Sequence, residues 1–460
     1  MNMKVLLINP SWEDVFSAKG NRFNRPWPPL DLLNCAALLE KEGIEVHLLD
    51  ARASPVNIDQ IAHFATKFDR CFVTTSPIDR WQCPNIDITP FLKLVHLLPK
   101  EELYVMGAHG TVSPDMMLSQ TNAKAIIRGE PEFTILDICR GKKLKEIDGL
   151  SFKDNGSAIH NKDRALLSLN DLPLPAFHLI DIGKYSYEIL GNRLLLFEGS
   201  RGCPYPCIYC QKSMYGRSYR IKSPEKLIDE VDYGVKKFHA KSAYFIDLEF
   251  TLKRDFVEEV CNGLIKRNIQ FRWTCQTRAD TVDLDLLKLM RKAGCKLIHF
   301  GVETGSERIM ETINKKISLS RIADGILMAK KAGIDQACFF MFGFPTETED
   351  DKLKTIAFAK MLNPTYASFH KVTPYPGTLL FEMVGDRCKA SLSPSWIEEH
   401  DTDHLNKTIR QALLEFYVRR RYVCGNILFS NPYHLIRKLR LFYNYWKSLK
   451  CVTQANPPNG

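Results

Sequence analysis

Apolar residues in the first 140 positions fall in short runs between amphipathic stretches. The run Lys4–Asn9 is almost wholly apolar and stops at Pro10, the pattern of a parallel strand covered on both faces. Apolar positions at helical spacing predict a helix over Leu30–Glu42, with Gly43 as its C-cap. Further strands are expected at Glu45–Leu49 (ending at Asp50), Cys71–Thr75, Leu103–Met106 and Ala125–Ile127, and helices at Ile58–Phe68 and Phe91–Leu98. This alternation predicts an α/β fold over residues 1–145: a doubly wound, Rossmann-like sheet with its ligand at the carboxyl ends of the strands.

The pattern changes over residues 146–190. Asp154-Asn155-Gly156 is a hairpin turn signal, and the spaced prolines of Leu172-Pro-Leu-Pro-Ala176 favour an extended connector. Alternation resumes in residues 191–395. Strands are expected at Leu194–Glu198, Ser242–Asp247, Gln270–Thr274, Leu297–Val302, Ala337–Phe342 and Tyr366–Lys371, with helices such as Pro224–Phe238, Leu284–Ala293 and Leu319–Ala332 between them. Six repeats make a partial (β/α)6 barrel of the TIM type, with its functional loops on the carboxyl face. Residues 396–460 read as a helical region rich in arginine and aromatics, ending in a polar tail from Gln454.

A chain of 460 residues has room for several domains, and 45% hydrophobic with 25% charged residues is ordinary for a soluble globular protein. The N-terminal apolar run is too short for a secretory leader, and no stretch of about 18 apolar residues occurs. A cytoplasmic location is therefore expected. There the fourteen cysteines are not a disulfide framework, and isolated ones such as Cys35, Cys71 and Cys338 read as small buried hydrophobes. The net charge of +10 suits an acidic partner. It is concentrated in residues 401–450, which hold ten Lys or Arg against three acids.

Three cysteines stand together in Gly199-Ser-Arg-Gly-Cys203-Pro-Tyr-Pro-Cys207-Ile-Tyr-Cys210, just after a predicted strand. Thiolates at this spacing suit an iron–sulfur cluster, and three ligands for four irons leave one iron open to a small molecule. A zinc site normally closes with a fourth Cys or His; Cys261, Cys275 and His239 are available but have no paired spacing.

The motif resembles the radical SAM superfamily. The resemblance implies a [4Fe-4S] cluster on Cys203, Cys207 and Cys210, with S-adenosylmethionine (SAM) chelating the fourth iron. Tyr209 matches the aromatic that the family places before the last cysteine. Other family positions fall at the ends of predicted strands. Asp247, in preference to Glu249, matches the acid that meets the SAM ammonium. Arg278 matches a partner for the SAM carboxylate, and Glu303 a residue near its ribose or methionine moiety. Gly343 and Phe344 match the adenine-side loop, and Tyr375-Pro376-Gly377-Thr378 the motif after the sixth strand.

Residues 1–145 resemble the cobalamin-binding domain that precedes many radical SAM enzymes. The matching stretches carry Asn9, Pro28, Leu30, Gly107, His109, Thr111, Gly129 and Glu130; Thr75 ends the third predicted strand and Ser76 opens the loop after it. An Asp-x-His-x-x-Gly motif, whose histidine would ligate cobalt from below, is absent; His47 and Asp50 do not match it. The resemblance thus implies base-off cobalamin, with His109 at the corrinoid periphery and Arg80 or Trp81 as candidates for the lower face.

The activity implied is C-methylation of an unactivated carbon through a 5′-deoxyadenosyl radical and methylcobalamin, as in class B radical SAM methyltransferases. An oxidative cyclase or rearrangement enzyme shares the same cofactors. A corrinoid sensor is the non-enzyme alternative, opposed by the intact cysteine triad. The expected partners are a flavodoxin or ferredoxin-type electron donor and a small-molecule, lipid or peptide substrate, with no nucleic acid. The basic–aromatic stretches Phe416–Tyr422 and Leu435–Trp446 fit a helical cap or a peripheral membrane contact.

Overall fold

The computed structural model describes residues 3–11, 25–385, 402–423 and 443. In its N-terminal part β1 (Lys4–Asn9), β2 (Glu45–Asp50), β3 (Arg70–Thr74), β4 (Leu103–Met106) and β5 (Ala125–Ile127) are parallel, in the order β2-β1-β3-β4-β5. This is the flavodoxin-like variant of the doubly wound fold. The winding reverses between β1 and β3, which opens a crevice at their carboxyl ends.

Helices cover both faces. Val5 and Leu7 of β1 join the core under α1 (Leu30–Lys41), while Leu6 and Ile8 point into the core under α2 (Ile58–Ala65) and α3 (Thr89–Leu97). That double coverage is why the strand has no polar alternation. Gly43, at φ +76°, ends α1 as expected. The second helix stops a turn short of Phe68, where the Thr66 hydroxyl takes the His63 carbonyl and competes with the helical ladder. α4 (Ala108–Val112), α5 (Pro114–Gln120) and α6 (Glu132–Cys139) follow, α6 beside α1 and α5 on the opposite face.

The Asn155-Gly156 turn forms with both residues at positive φ and joins β6 (Leu150–Asp154) to β7 (Ser157–His160). The hairpin does not stand apart as connector: β6 pairs antiparallel with β5 and extends the N-terminal sheet to seven strands.

A short antiparallel pair, β8 (Ser186–Tyr187) and β9 (Gly191–Asn192), precedes the second sheet. That sheet begins at β10 (Leu194–Phe197). A second short pair, β11 (Ser200–Arg201) and β12 (Arg220–Ile221), clasps the cysteine loop. The sheet continues through β13 (Ser242–Phe245), β14 (Arg272–Thr277), β15 (Cys295–Glu303), β16 (Asp335–Phe342) and β17 (Tyr366–Lys371). Six parallel strands run in the order β10-β13-β14-β15-β16-β17, and β10 does not meet β17, so the barrel is open.

Six helices follow strands of this sheet: α7 (Pro224–Phe238), α8 (Arg254–Lys266), α9 (Leu284–Lys292), α10 (Glu307–Thr312), α11 (Leu319–Lys331) and α12 (Glu349–Leu362). They share one apolar core with the sheet's outer face. β14 and β15 run past their predicted ends because their inward positions are polar, Gln276 and Glu303 among them, so apolar runs under-count their length.

α13 (Leu379–Val384), α14 (Thr402–Tyr417) and the short α15 (Arg420–Tyr422) come last among the described residues. Phe416 and Tyr422 are buried, and the Tyr417 hydroxyl donates to Ala367 of β17 at 2.8 Å. Arg419 lies over Phe416 at 4.2 Å and donates to the Lys360 carbonyl. This stretch is a cap on the barrel edge, and only Arg420 and Arg421 of its basic residues are exposed. The second basic–aromatic stretch, Leu435–Trp446, lies outside the described residues except for Tyr443, as does the tail from Gln454. No helix among the described residues is long and apolar enough to cross a membrane.

Candidate functional site

Cys203, Cys207 and Cys210 lie half-buried in the β11–β12 loop, above the carboxyl end of β10. Cys210 donates its N–H to the Cys207 carbonyl at 3.4 Å, which folds the loop back on itself. Lys212 Nζ grips the Tyr205 carbonyl, and Asn314 donates to the Pro206 carbonyl. Burial raises the Cys203 thiol, and pushes the Cys210 thiol up to about 12 although a hydrogen bond from Gln82 opposes the shift. Among the described residues no three Cys, His, Asp or Glu side chains gather on a single ion.

Around this loop stand the residues singled out for SAM. Glu303 ends β15 at φ +70°, a strained conformation for a residue with a side chain. Its carboxylate turns back over Gly301, where a Cβ would collide with it, and pairs with Lys315 Nζ at 2.7 Å. Lys315 also reaches the Tyr209 hydroxyl at 3.4 Å. The Tyr209 ring faces Phe344 at 5.9 Å, and the Gly343 N–H donates to Glu347 at 2.5 Å. Tyr209, Glu303, Gly343 and Phe344 are thus brought together.

Asp247 and Arg278 are engaged differently. Asp247 accepts from the Ser200 hydroxyl at 2.5 Å and the Gly199 N–H at 3.1 Å, bracing the start of the cysteine loop. Burial raises its pKa to about 7 against those bonds. Arg278 chelates Asp280, donates to the Lys315 carbonyl at 2.8 Å, and lies 3.8 Å over the Tyr205 ring. Glu249 is buried and accepts from the Arg278 N–H and the Thr281 hydroxyl.

The N-terminal residues gather at the β1/β3 crevice. Asn9, at the end of β1, donates to Asp50 at 2.9 Å. Thr75 and Ser76 follow β3, and Gly107 follows β4 at φ +107°. A Cβ at Gly107 would lie 2.6 Å from Thr75 Oγ1 and 2.9 Å from the Ser76 nitrogen, so only glycine lets these loops meet. Thr111 accepts from the Gly129 N–H at 2.9 Å and touches Met214 of the cysteine loop at 3.0 Å. His109 Nε2 donates to the Asn85 carbonyl at 2.7 Å. Leu30 opens α1 and bonds back to the Pro28 carbonyl. Asn9 Oδ1, Thr75 Oγ1 and His109 Nδ1 are buried without a protein partner. Orphaned polar atoms at a switch point fit a large ligand with many peripheral polar groups.

Two of the N-terminal candidates lie in the joint between the domains. Glu130 pairs with Arg220 at 2.7 Å and Arg201 at 3.3 Å. Trp81 is fully buried, edge-on to Tyr215 at 5.2 Å and under Arg201 at 5.3 Å. Arg80 instead sits near Asp79, Cys83 and Tyr375.

The joint itself was not foreseen. Arg201, two residues before Cys203, is fully buried among Glu132 at 2.6 Å, Glu198 at 2.8 Å and Glu130. Burial pulls its pKa down, but the carboxylates outweigh this and hold it well above the ordinary arginine value. Gln82, on the loop after β3, donates to Cys210 Sγ at 3.5 Å and meets Gln276 of β14 at 3.5 Å. Its neighbour Cys83 keeps exposed surface, and desolvation raises its thiol. A charged residue inside the cysteine motif was the one sequence signal for Arg201; Gln82 had none.

The Radical SAM superfamily matches residues 197–359. The chain is 30% identical over 460 residues to the uncharacterized methyltransferase PH0819 of Pyrococcus horikoshii, covering 95% of this chain and 97% of the relative. It is 27% identical over 403 residues to the anaerobic magnesium-protoporphyrin IX monomethyl ester cyclase of Rubrivivax gelatinosus, covering 84% and 70%. Its fold matches the cobalamin-dependent S-adenosylmethionine radical enzyme OxsB, solved with aqua-cobalamin and S-adenosylmethionine bound, at a TM-score of 0.73 and 19% identity over 97% of this chain and 71% of that one. With the cysteine loop on the carboxyl face of one sheet and a flavodoxin-like sheet docked against it, the chain belongs to the B12-dependent radical SAM family.

Proposed function

We propose that this enzyme is a class B methyltransferase that methylates an unactivated carbon. The observation that carries the reading is the Gln82–Cys210 contact, which ties the loop beyond the Thr75–Ser76 crevice directly to the cysteine loop. In this reading Cys203, Cys207 and Cys210 hold the [4Fe-4S] cluster. Tyr209, Asp247, Arg278, Glu303, Gly343 and Phe344 form the SAM side. Asn9, Pro28, Leu30, Thr75, Ser76, Gly107, His109, Thr111 and Gly129 would hold base-off cobalamin, with Arg80 a candidate for its lower face. When bound, these groups supply a 5′-deoxyadenosyl radical for hydrogen abstraction and a methyl group for transfer.

The protein's own contribution is positioning and exclusion of water. Arg278, stacked on Tyr205, fixes the cysteine loop to β14. Lys315 holds Tyr209 and Glu303 in one orientation. His109, with Nε2 committed to Asn85, leaves Nδ1 as an acceptor for a peripheral amide N–H of the corrinoid. The homology to methyltransferase PH0819 supports methyl transfer, and the homology to the magnesium-protoporphyrin cyclase keeps oxidative cyclisation as a second reading.

Anaerobic reconstitution tests the proposal. The wild-type chain is expected to take up iron, retain cobalamin and cleave SAM to 5′-deoxyadenosine under reduction. The Cys203→Ala/Cys207→Ala/Cys210→Ala variant is expected to lose iron and cleavage together. Retention of both by the variant refutes the reading. S-adenosylhomocysteine formed alongside 5′-deoxyadenosine identifies methyl transfer; 5′-deoxyadenosine without it identifies cyclisation.

A further inference from the structure

The inner face of the barrel carries a continuous run of rings. Tyr244 of β13 faces His299 of β15 at 5.2 Å, and His299 faces Phe339 of β16 at 5.5 Å. Phe339 stacks on His370 of β17 at 5.9 Å and 20°. The run is closed on its open side by Tyr187, 6.0 Å from His299, and by Trp27, 5.4 Å from Tyr244. Trp27 comes from the N-terminal domain, on the segment that enters α1. One wall of the barrel is therefore built by the other domain.

Tyr187, Tyr244 and His299 are themselves buried, each 7% exposed. The residues that alternate with them, such as Phe245, Phe300 and Phe340, point outward and are fully buried under the helices. Phe339 keeps accessible surface and His370 is exposed. Burial nonetheless lowers the pKa of His370. Burial, with a smaller push from Arg25, brings His299 down to about 3, so its imidazole is neutral at any physiological pH.

The polar groups are few and define an orientation. The Tyr187 hydroxyl bonds His299 Nε2 at 3.0 Å. The Arg25 guanidinium lies 4.6 Å over the Tyr187 ring, and with the Tyr187 hydroxyl donating, His299 Nε2 is the acceptor. With Nε2 accepting, the ring proton of His299 resides on Nδ1, which has no protein partner among the described residues and is not sealed from solvent. The nearby ions are already paired, Arg25 with Glu188 at 2.6 Å and Glu303 with Lys315 at 2.7 Å. An anion would lose its hydration here without gaining a counter-charge. A saturated chain would gain contact area but no use of the ring faces or of the Nδ1 donor.

We infer that this face binds an uncharged, flat heteroaromatic ring bearing a hydrogen-bond acceptor, seated between the rings with its acceptor on His299 Nδ1. That this ring is the substrate rests on the reaction proposed above. Calorimetric titration of the cluster-reconstituted full chain tests it with four probes: isoquinoline, indole, benzoate and 1-octanol.

Isoquinoline, which accepts a hydrogen bond, is expected to bind tightest. His299→Phe keeps a ring and removes the donor, and is expected to weaken isoquinoline about tenfold while leaving indole, a donor, nearly unchanged. Phe339→Leu and Trp27→Leu are expected to weaken both probes, and they carry the test if His299→Phe does not fold. Benzoate or octanol binding as tightly as isoquinoline overturns the inference, as does isoquinoline affinity unchanged in His299→Phe, or in both Leu variants should that one not fold. A preparation that cleaves SAM but binds none of the four probes sinks the inference and leaves the proposed reaction standing.

Discussion

Replacing Arg201 by methionine removes the one cation between Glu132 and Glu198, at 2.6 and 2.8 Å. Glu130 keeps Arg220, so two carboxylates are stranded. All three members of this inner set are essentially without solvent contact. Removing one partner of a buried pair costs roughly 3–5 kcal/mol, because the remaining charge is neither hydrated nor compensated. Two stranded carboxylates on one lost cation put Arg201→Met at about 5 kcal/mol or more, comparable with the whole stability of a small domain.

The loss has a direction with pH. Burial already raises Glu132, and Arg201 is what opposes that rise. Without Arg201 the folded state holds extra protons relative to the unfolded chain, so its stability falls as pH rises. The deficit of Arg201→Met is therefore expected to be largest at pH 8 and much smaller at pH 5, read by urea unfolding of the full chain. Adding Glu132→Gln and Glu198→Gln in the same background is expected to restore most of it. A deficit under about 1 kcal/mol, within the range of ordinary surface changes, or one independent of pH, refutes this account of the joint.

Two further outcomes follow from local geometry. Gly107→Ala places a Cβ 2.6 Å from Thr75 Oγ1 at φ +107°, and is expected to cost about 2–4 kcal/mol and to abolish cobalamin retention while leaving iron uptake intact; adding Thr75→Ala relieves the collision but not the strain, so stability returns only in part. Glu347, buried under the Gly343 N–H, is raised by burial from 4.5 to about 7; a carboxyl raised in the folded state makes stability fall as pH climbs between those values, so Glu347→Gln is expected to be more stable than wild type by up to roughly 3 kcal/mol at pH 8 and nearly equal to it at pH 4, measured by urea unfolding.

Much of this architecture is legible in the chain because buried parallel strands advertise themselves. Lys4–Asn9, Leu103–Met106 and Ala125–Ile127 occur where apolar runs predict them, since both faces are covered and no polar residue interrupts. The cysteine loop is equally plain, because its chemistry is local in sequence. Other features have no local signal. Asp154-Asn155-Gly156 announces its turn, but that the hairpin joins the N-terminal sheet depends on β5 having a free edge. Glu130 reads as a ligand-binding residue beside Gly129, yet its partners Arg201 and Arg220 lie beyond 70 intervening positions. Trp81 similarly depends on Tyr215 and Arg201 for its place. Ion pairs and aromatic joints formed across domains are properties of the docked surfaces, and periodicity within one segment carries no trace of them.

The docking explains why two parallel sheets suffice for such a site. Each sheet alone offers an open crevice at the carboxyl ends of its strands, wet and shallow. Here the two carboxyl faces are turned toward each other: the loop after β3 meets Cys210 through Gln82, and the β4–α4 corner meets the cysteine loop through Thr111 and Met214. Between them Arg80 and Cys83 of the first domain lie near Tyr375 and Glu303 of the second. The Arg201 joint is then a device for holding a distance. It is the group that ties Glu130 and Glu132 of the first domain to the strand end from which Cys203 hangs, and a change in its geometry moves both cofactor faces at once.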